Sequence, residues 1–383
     1  MHVPRHTAKA AAVLAALGAV LLVALFLRPE GDDDQSPDGT YRLVFAEFGL
    51  LADRIYLAAP DALDERELVA NVPHASGWAI TPAPAMAGDL TAFTALPPEA
   101  LPRRDSLAEL WVLDVRSGEL TRLAGDADLL AAPVFDPDGR ALLYRRTRAD
   151  GSQQLVRVEI ATRARRPLYE ASTQFGLYPV ALSADGVALY AELSTRGTDL
   201  YRVREGAEPE FIAHASDHIA RDWRLSPDRA SLAYLAPEVS AERVVHRAQV
   251  VALSPSGEAH AASPAEPGAV LFEQFAPVWT PDGSGLTVGI EAFPDVNAAA
   301  VTLVIEAPAD SDDLPEALPA PDQGFDAPLG WSPNGRRLAV RSFDGRDAAE
   351  PGRESFVVIS PGGGRATVVS NTELIYIGWL RDE

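Results

Sequence analysis

Apolar positions along most of this chain fall in short alternating runs separated by polar turns, the period of half-buried strands. One turn recurs. SPDGTYRLVFAE (residues 36–47) opens with it, and VFDPDGRALLY, ALSADGVALY, RLSPDRASLAY, VWTPDGSGLTV and GWSPNGRRLAV repeat it, with a looser copy in GWAITPAPAMAGDLTAF. The slots Pro37, Pro82, Pro137, Ala184, Pro227, Pro281 and Pro333 stand 43 to 55 residues apart. In each unit a leading Ser, Thr or Asp can accept a bond from the N–H two residues on, and Pro presets φ. Asp or Asn follows, and Gly supplies positive φ. The turn-forming residues are Pro37, Asp38 and Gly39; Pro137, Asp138 and Gly139; Pro227 and Asp228; Pro281, Asp282 and Gly283; and Pro333, Asn334 and Gly335.

Each turn joins two antiparallel strands, and a third and weaker fourth strand follow, as in AELWVLDVRSGELTRL and ESFVVISPGGGRATVV. A lone four-stranded sheet of this size cannot bury both faces, whereas a ring of such sheets can. The pattern therefore predicts an all-β fold, a seven-bladed β-propeller of four-stranded blades. The first copy has a turn and a strand but no strand before the turn. The missing arm is expected at residues 374–380, in ELIYIGWLRDE, where Trp379 has the context of Trp331 and no turn follows. The C-terminal strand then closes the ring beside Tyr41 to Ala46.

The first residues follow another pattern. Ala10 to Leu27 is an 18-residue apolar run, preceded by Arg5 and Lys9 and followed by Asp32, Asp33 and Asp34. As a helix it spans roughly 27 Å, against about 30 Å of bilayer hydrocarbon. It reads as a transmembrane signal-anchor with residues 1–9 cytoplasmic, a linker at 28–35 and the propeller at 36–383 outside the cytoplasm. The alternative is a cleaved signal peptide and secretion.

Charge narrows the partners. The net charge is -22; Arg5, Lys9 and Arg28 against Glu30 give residues 1–30 a charge of +2, which leaves -24 on the rest. So acidic a body repels phosphate backbones, which argues against nucleic acid. With no Cys, disulfides and thiol chemistry are excluded. Lys9 is the single lysine among 33 cationic residues, so Arg145-Arg146 and Arg336-Arg337 reflect composition rather than recognition patches.

The strand-turn-strand unit resembles the WD40-like PD40 repeat of TolB-type propellers and, more loosely, the propellers of prolyl oligopeptidase and dipeptidyl peptidase relatives. The resemblance covers residues 36–383 and implies the fold more than a function. TolB-like proteins carry a further N-terminal α/β domain, for which residues 28–35 leave no room. The peptidases carry a hydrolase domain with a G-x-S-x-G elbow, which this sequence lacks.

Candidate chemistry is sparse. Trp78, Trp223, Trp279, Trp331 and Trp379 precede repeat turns, Trp111 lies in a third strand, and all read as packing between blades. The turn aspartates lack the spacing of a calcium loop. His74, His214, Asp217 and His218 precede innermost strands and are candidates for a ligand face. A convergence of His74 with the His214 group would suit the metal of lyases that act on acidic oligosaccharides, to which such propellers are similar. Residues 307–328, acidic and Pro-rich, read as a surface connection between the sixth and seventh blades, and residues 96–106 as an insertion in the second. The chain is thus expected to be a non-enzymatic, membrane-anchored extracytoplasmic module that binds an envelope protein or peptide, without a cofactor. A glycan-sensing regulatory subunit is the alternative, and a metal-dependent lyase the lesser one.

Overall fold

In a computed structural model the repeats form seven sheets. Described are residues 40–382 apart from 102, 104, 105, 174, 240–243, 254–257, 263–271, 292–297, 305–317 and 369–372. The expected membrane helix, the linker and the turn Pro37-Asp38-Gly39 lie outside the described residues. Among the described residues no helix is long and apolar enough to cross a membrane.

The first blade runs, from the inside out, through β27 (Leu374–Arg381), β1 (Tyr41–Glu47), β2 (Ala52–Ala59) and β3 (Ala62–Pro73). The second contains β4 (Thr81–Pro82), β5 (Leu90–Ala95), β6 (Leu107–Asp114) and β7 (Leu120–Asp128). The third contains β8 (Val134–Phe135), β9 (Ala141–Thr147), β10 (Gln153–Glu159) and β11 (Arg165–Ala171). The fourth contains β12 (Gly176–Leu182), β13 (Ala188–Ser194), β14 (Gly197–Val203) and β15 (Glu210–Ser216). The fifth contains β16 (Arg221–Leu225), β17 (Ser231–Val239), β18 (Val244–Ala252) and β19 (Ala259–Ala261). The sixth shows β20 (Gln274–Trp279), β21 (Gly285–Ile290) and β22 (Val301–Val304) among the described residues. The seventh contains β23 (Phe325–Trp331), β24 (Leu338–Phe343), β25 (Glu354–Ile359) and β26 (Arg365–Val368).

β27 pairs antiparallel with β1, with Trp379 opposite Leu43, so the C-terminal strand supplies the missing inner arm of the first blade. The core follows the same logic. Each of its seven clusters joins neighbouring blades. Phe45 of the first blade packs with Phe356 of the seventh, and Leu142 of the third packs with Leu110 of the second. The tryptophans at the inner-strand ends tie blades together. Trp279 Nε1 donates to the Arg224 carbonyl at 2.9 Å, Trp331 Nε1 to Thr287 Oγ1 at 2.8 Å, and Trp379 Nε1 to the Gly330 carbonyl at 3.1 Å. Each bond crosses to the preceding blade.

The turn chemistry differs from the expectation in one respect. The leading hydroxyl does not accept from the N–H two residues on. In three turns it accepts from the N–H five residues on (Ser231 to Ser226, Gly285 to Thr280, Arg337 to Ser332, each 2.9 Å). It also donates to the turn carboxylate or amide: Ser226 to Asp228, Thr280 to Asp282, Ser332 to Asn334. The Asp or Asn takes the N–H two residues on, as Asp228 does from Ala230 at 3.0 Å. The hydroxyl bond holds the Asp185, Asp228 and Asp282 carboxyls below the ordinary carboxylate range.

Part of the acidic connection is a strand. Residues 305–317 lie outside the described residues, but β23 begins at Phe325, inside the segment expected to be loop. Asp326 is fully buried there and meets the Arg365 guanidinium at 2.7 and 2.8 Å. That buried pair offsets the desolvation that makes Asp an unfavourable strand residue.

If ring closure carries the fold, Trp379→Ala should cost about 3–5 kcal/mol, as for other large core deletions. Trp379→Phe, which loses only the indole bond, should cost about 1 kcal/mol. Urea unfolding of the two variants checks the order; equal, negligible losses would contradict the closure role.

Candidate functional site in the central channel

The innermost strands line the channel, and five of them carry the same irregularity. Opposite one residue of the neighbouring strand, β27, β12, β16, β20 and β23 each insert an extra residue. Such bulges bend a strand and re-aim its side chains. In β16 the extra residue falls between Arg221 and Arg224, and Asp222 takes a left-handed φ of 58°. Asp tolerates that conformation better than most residues. Trp223 stands four residues before Pro227, whereas Trp279 and Trp331 stand two before Pro281 and Pro333, so Leu225 holds their slot. Trp223 instead packs, tilted, at 4.8 Å on Tyr234 and lines the channel.

Two cavities meet at Trp223 and Arg224. One, of about 400 Å³, opens toward the repeat turns and includes Asp136, Pro137, Pro227 and Arg229. The other, of about 330 Å³, opens toward the opposite face, where the blades are connected, and includes Leu130, Tyr178, Ile219, Arg221 and Asp222. Arg221 pairs with Asp222 at 2.5 Å. Arg224 Nη1 donates to the Trp223 carbonyl at 3.0 Å, and among the described residues no carboxylate pairs with it. Burial pulls the Arg224 guanidinium below its ordinary value, with Asp222 and Tyr376 acting the other way. Burial pushes the Tyr376 phenol well above its own, and the Arg224 charge opposes that. A Cβ added at Gly330 would stand 2.1 Å from the Tyr376 hydroxyl, and one at Gly378 would stand 2.8 Å from the Met86 side chain, so glycine makes room for both groups.

The repeat itself marks a second departure. In SPDRAS, Arg229 occupies the slot that Gly139, Gly283 and Gly335 fill, and it adopts their positive φ at 62°. An ordinary side chain pays about 1–2 kcal/mol for that conformation. Its Nη2 donates to the Leu182 carbonyl of the neighbouring blade at 2.7 Å. Neither Arg224 nor Arg229 was singled out in the sequence; the readable signal was an Arg where the repeat has Gly.

The histidines do not form one site. His74 is buried, with Nε2 3.0 Å from Asp53 Oδ1 and Nδ1 2.9 Å from the Ala75 carbonyl. Asp53 is also buried and accepts from the Ile80 N–H at 2.8 Å, so the pair pins the link between the first and second blades. His214 sits on β15, the outermost strand of the fourth blade, with Nδ1 2.7 Å from Asp199 and Nε2 3.1 Å from the exposed Asp217. His218 contributes its backbone: its N–H meets Ser216 Oγ at 3.1 Å and its carbonyl accepts from Thr198 Oγ1 at 2.8 Å. Among the described residues no group of three His, Cys, Asp or Glu is placed to hold a metal ion.

Against solved structures the disc has clear counterparts. It matches TolB from Acinetobacter baumannii with a TM-score of 0.50 at 13% identity, over 89% of this chain and 66% of that one. The chain has the seven-bladed propeller fold of TolB. It matches an oligogalacturonate lyase from Vibrio parahaemolyticus at 0.50 and 11% identity, over 85% of this chain and 92% of that one. A prolyl endopeptidase structure matches at 0.50 and 14%, over 97% of this chain and 56% of that one. The chain thus spans just under two thirds of TolB and little over half of the endopeptidase. No protein-family model and no curated protein matches the sequence. At these identities the likeness establishes the fold.

The hydrogen bond that His214 donates to Asp199, with a smaller one to Asp217, raises the His214 pKa above its ordinary value, which is about 6.5. Protonated His214 therefore stabilises the fold fully below about pH 6.5, and that contribution fades as pH rises through the raised midpoint. A proton titration followed by NMR should place the His214 midpoint above that of an unfolded histidine, and Asp199→Asn should bring it down.

Proposed function

We propose that this chain is a non-enzymatic binding module, a propeller that docks a protein or peptide partner on the face opposite its repeat turns. The observation that carries this is the unequal distribution of exposed apolar side chains. Leu50, Leu51, Leu101, Leu130, Phe175 and Ile219 are all exposed, and all lie in connections on that face. Leu130 and Ile219 rim the smaller cavity there. The turn face presents mainly exposed Pro and Asp from the repeats. Apolar groups gathered on one side of a disc mark an interaction surface more than a solvated one.

The apolar run at 10–27 supports a membrane tether, and Arg5 and Lys9 before it support a propeller held outside the cytoplasm. The described chain enters the disc at Thr40, whose carbonyl accepts from the Asp382 N–H at 2.8 Å on the turn face.

Crosslinking of the tagged full-length chain in intact cells, followed by mass spectrometry, tests this. A reproducible partner attached through residues near Leu50, Leu101 or Ile219 is the expected result. Crosslinks spread over the turn face, or none at all, would count against the reading.

A further inference from the structure

The cavity on the docking face has a chemistry of its own. It is lined by the exposed Leu130 and Ile219, by Tyr178, and by Trp223 and Arg224 where it meets the turn-side cavity. Two of its charges cancel, since Arg221 and Asp222 pair with each other. The charge left over is the guanidinium of Arg224, for which the described residues provide no ion-pair partner, in a chain whose other arginines are mostly paired. Holding it there costs desolvation free energy that a bound anion would recover. The backbone of Arg224 is fixed by the Trp279 indole and by the bulge beside it, so the head group is positioned before any ligand arrives.

Shape narrows the anion. At about 330 Å³ the cavity lies at the low end of the roughly 300–1,000 Å³ range of ligand pockets. Trp223 and Arg224 line both this cavity and the turn-side one, so the guanidinium lies at the deep end of the opening on the docking face. A chain end fits: an apolar side chain against Leu130, Ile219 and Trp223, and a terminal carboxylate on a planar guanidinium fork. An acidic side chain within a longer segment would have to fold back on itself to bring its carboxylate to the guanidinium. A sugar acid would leave Leu130 and Ile219 unused.

We propose that the channel captures the C-terminal carboxylate of an apolar peptide end entering from the docking face, with Arg224 as its anchor. This rests on the peptide-binding reading above and specifies which part of the partner is held. The probe is an N-acetylated four-residue alanine peptide ending in leucine, as free acid and as C-terminal amide, with binding to the full-length chain followed by calorimetry. The acid should bind at least tenfold more tightly than the amide. Arg224→Gln should bring the two within twofold, whereas Arg229→Gln, which removes the same charge on the turn side, should leave the preference intact. Equal binding of acid and amide, or a preference that survives Arg224→Gln, would overturn the proposal. So would a trimer of galacturonic acid that binds where the peptide does not. If Arg224→Gln does not fold, Arg224→Lys serves instead: it keeps the charge but loses the fork, and should reduce the acid preference severalfold. The two levels fail separately. A partner crosslinked in cells whose attachment is indifferent to excess acid peptide leaves the binding module standing and removes Arg224 as anchor, while no partner and no peptide binding removes both.

Discussion

Among the described residues no blade of this protein has a core of its own. The apolar faces of each sheet are covered by the sheets on either side, and every cluster of buried side chains is shared across a boundary. A sheet lacking one neighbour would expose half of its buried surface, at about 25 cal/mol per Å². The array therefore has to return on itself. The pairing of β27 with β1 satisfies this requirement, and Phe45, Phe356 and Trp379 meet where the ring closes. Indole bonds from Trp279, Trp331 and Trp379 to the preceding blade add direction to an otherwise non-directional attraction.

The same constraint shapes the channel. Inner strands that converge on an axis must bend away from it, and the extra residue in five of them supplies the bend. In most blades the consequence is packing. In the fifth, the bend and the left-handed Asp222 deliver Trp223 and Arg224 into the open space. Two of the three non-glycine residues with positive φ among those described, Asp222 and Arg229, belong to this blade. Local strain concentrated on one blade of a repeat is more readily understood as a cost of function than of folding.

Much of the architecture was legible because it is written locally. Turns such as SPNG and TPDG declare themselves within four residues, and their period gives the ring. The half-formed first copy even pointed to Trp379. What could not be read depends on partners distant in the chain. Asp326 looked like part of a solvated loop, because nothing near it reveals that Arg365 meets it in the interior. His74 read as a ligand-face candidate for the same reason, with Asp53 on another strand to bury it against. Trp223 was grouped with the other tryptophans because it too precedes a repeat turn, although it stands two residues further from its Pro than Trp279 and Trp331 do. The channel itself is the juxtaposition of inner strands from all around the ring, and no window of sequence contains it.

Closure by β27 also sets the order in which this protein can become itself. Leu43 and Trp379 are adjacent in space, yet almost the entire propeller lies between them in sequence. As the chain leaves the ribosome, β1, β2 and β3 emerge early with an unpaired inner edge, and that edge stays open until the last blade has been made. Contacts so distant in sequence form slowly, and an open strand edge is the usual route to misassembly between chains. Of the seven blades, the first is thus the earliest to be synthesised and the last to be finished.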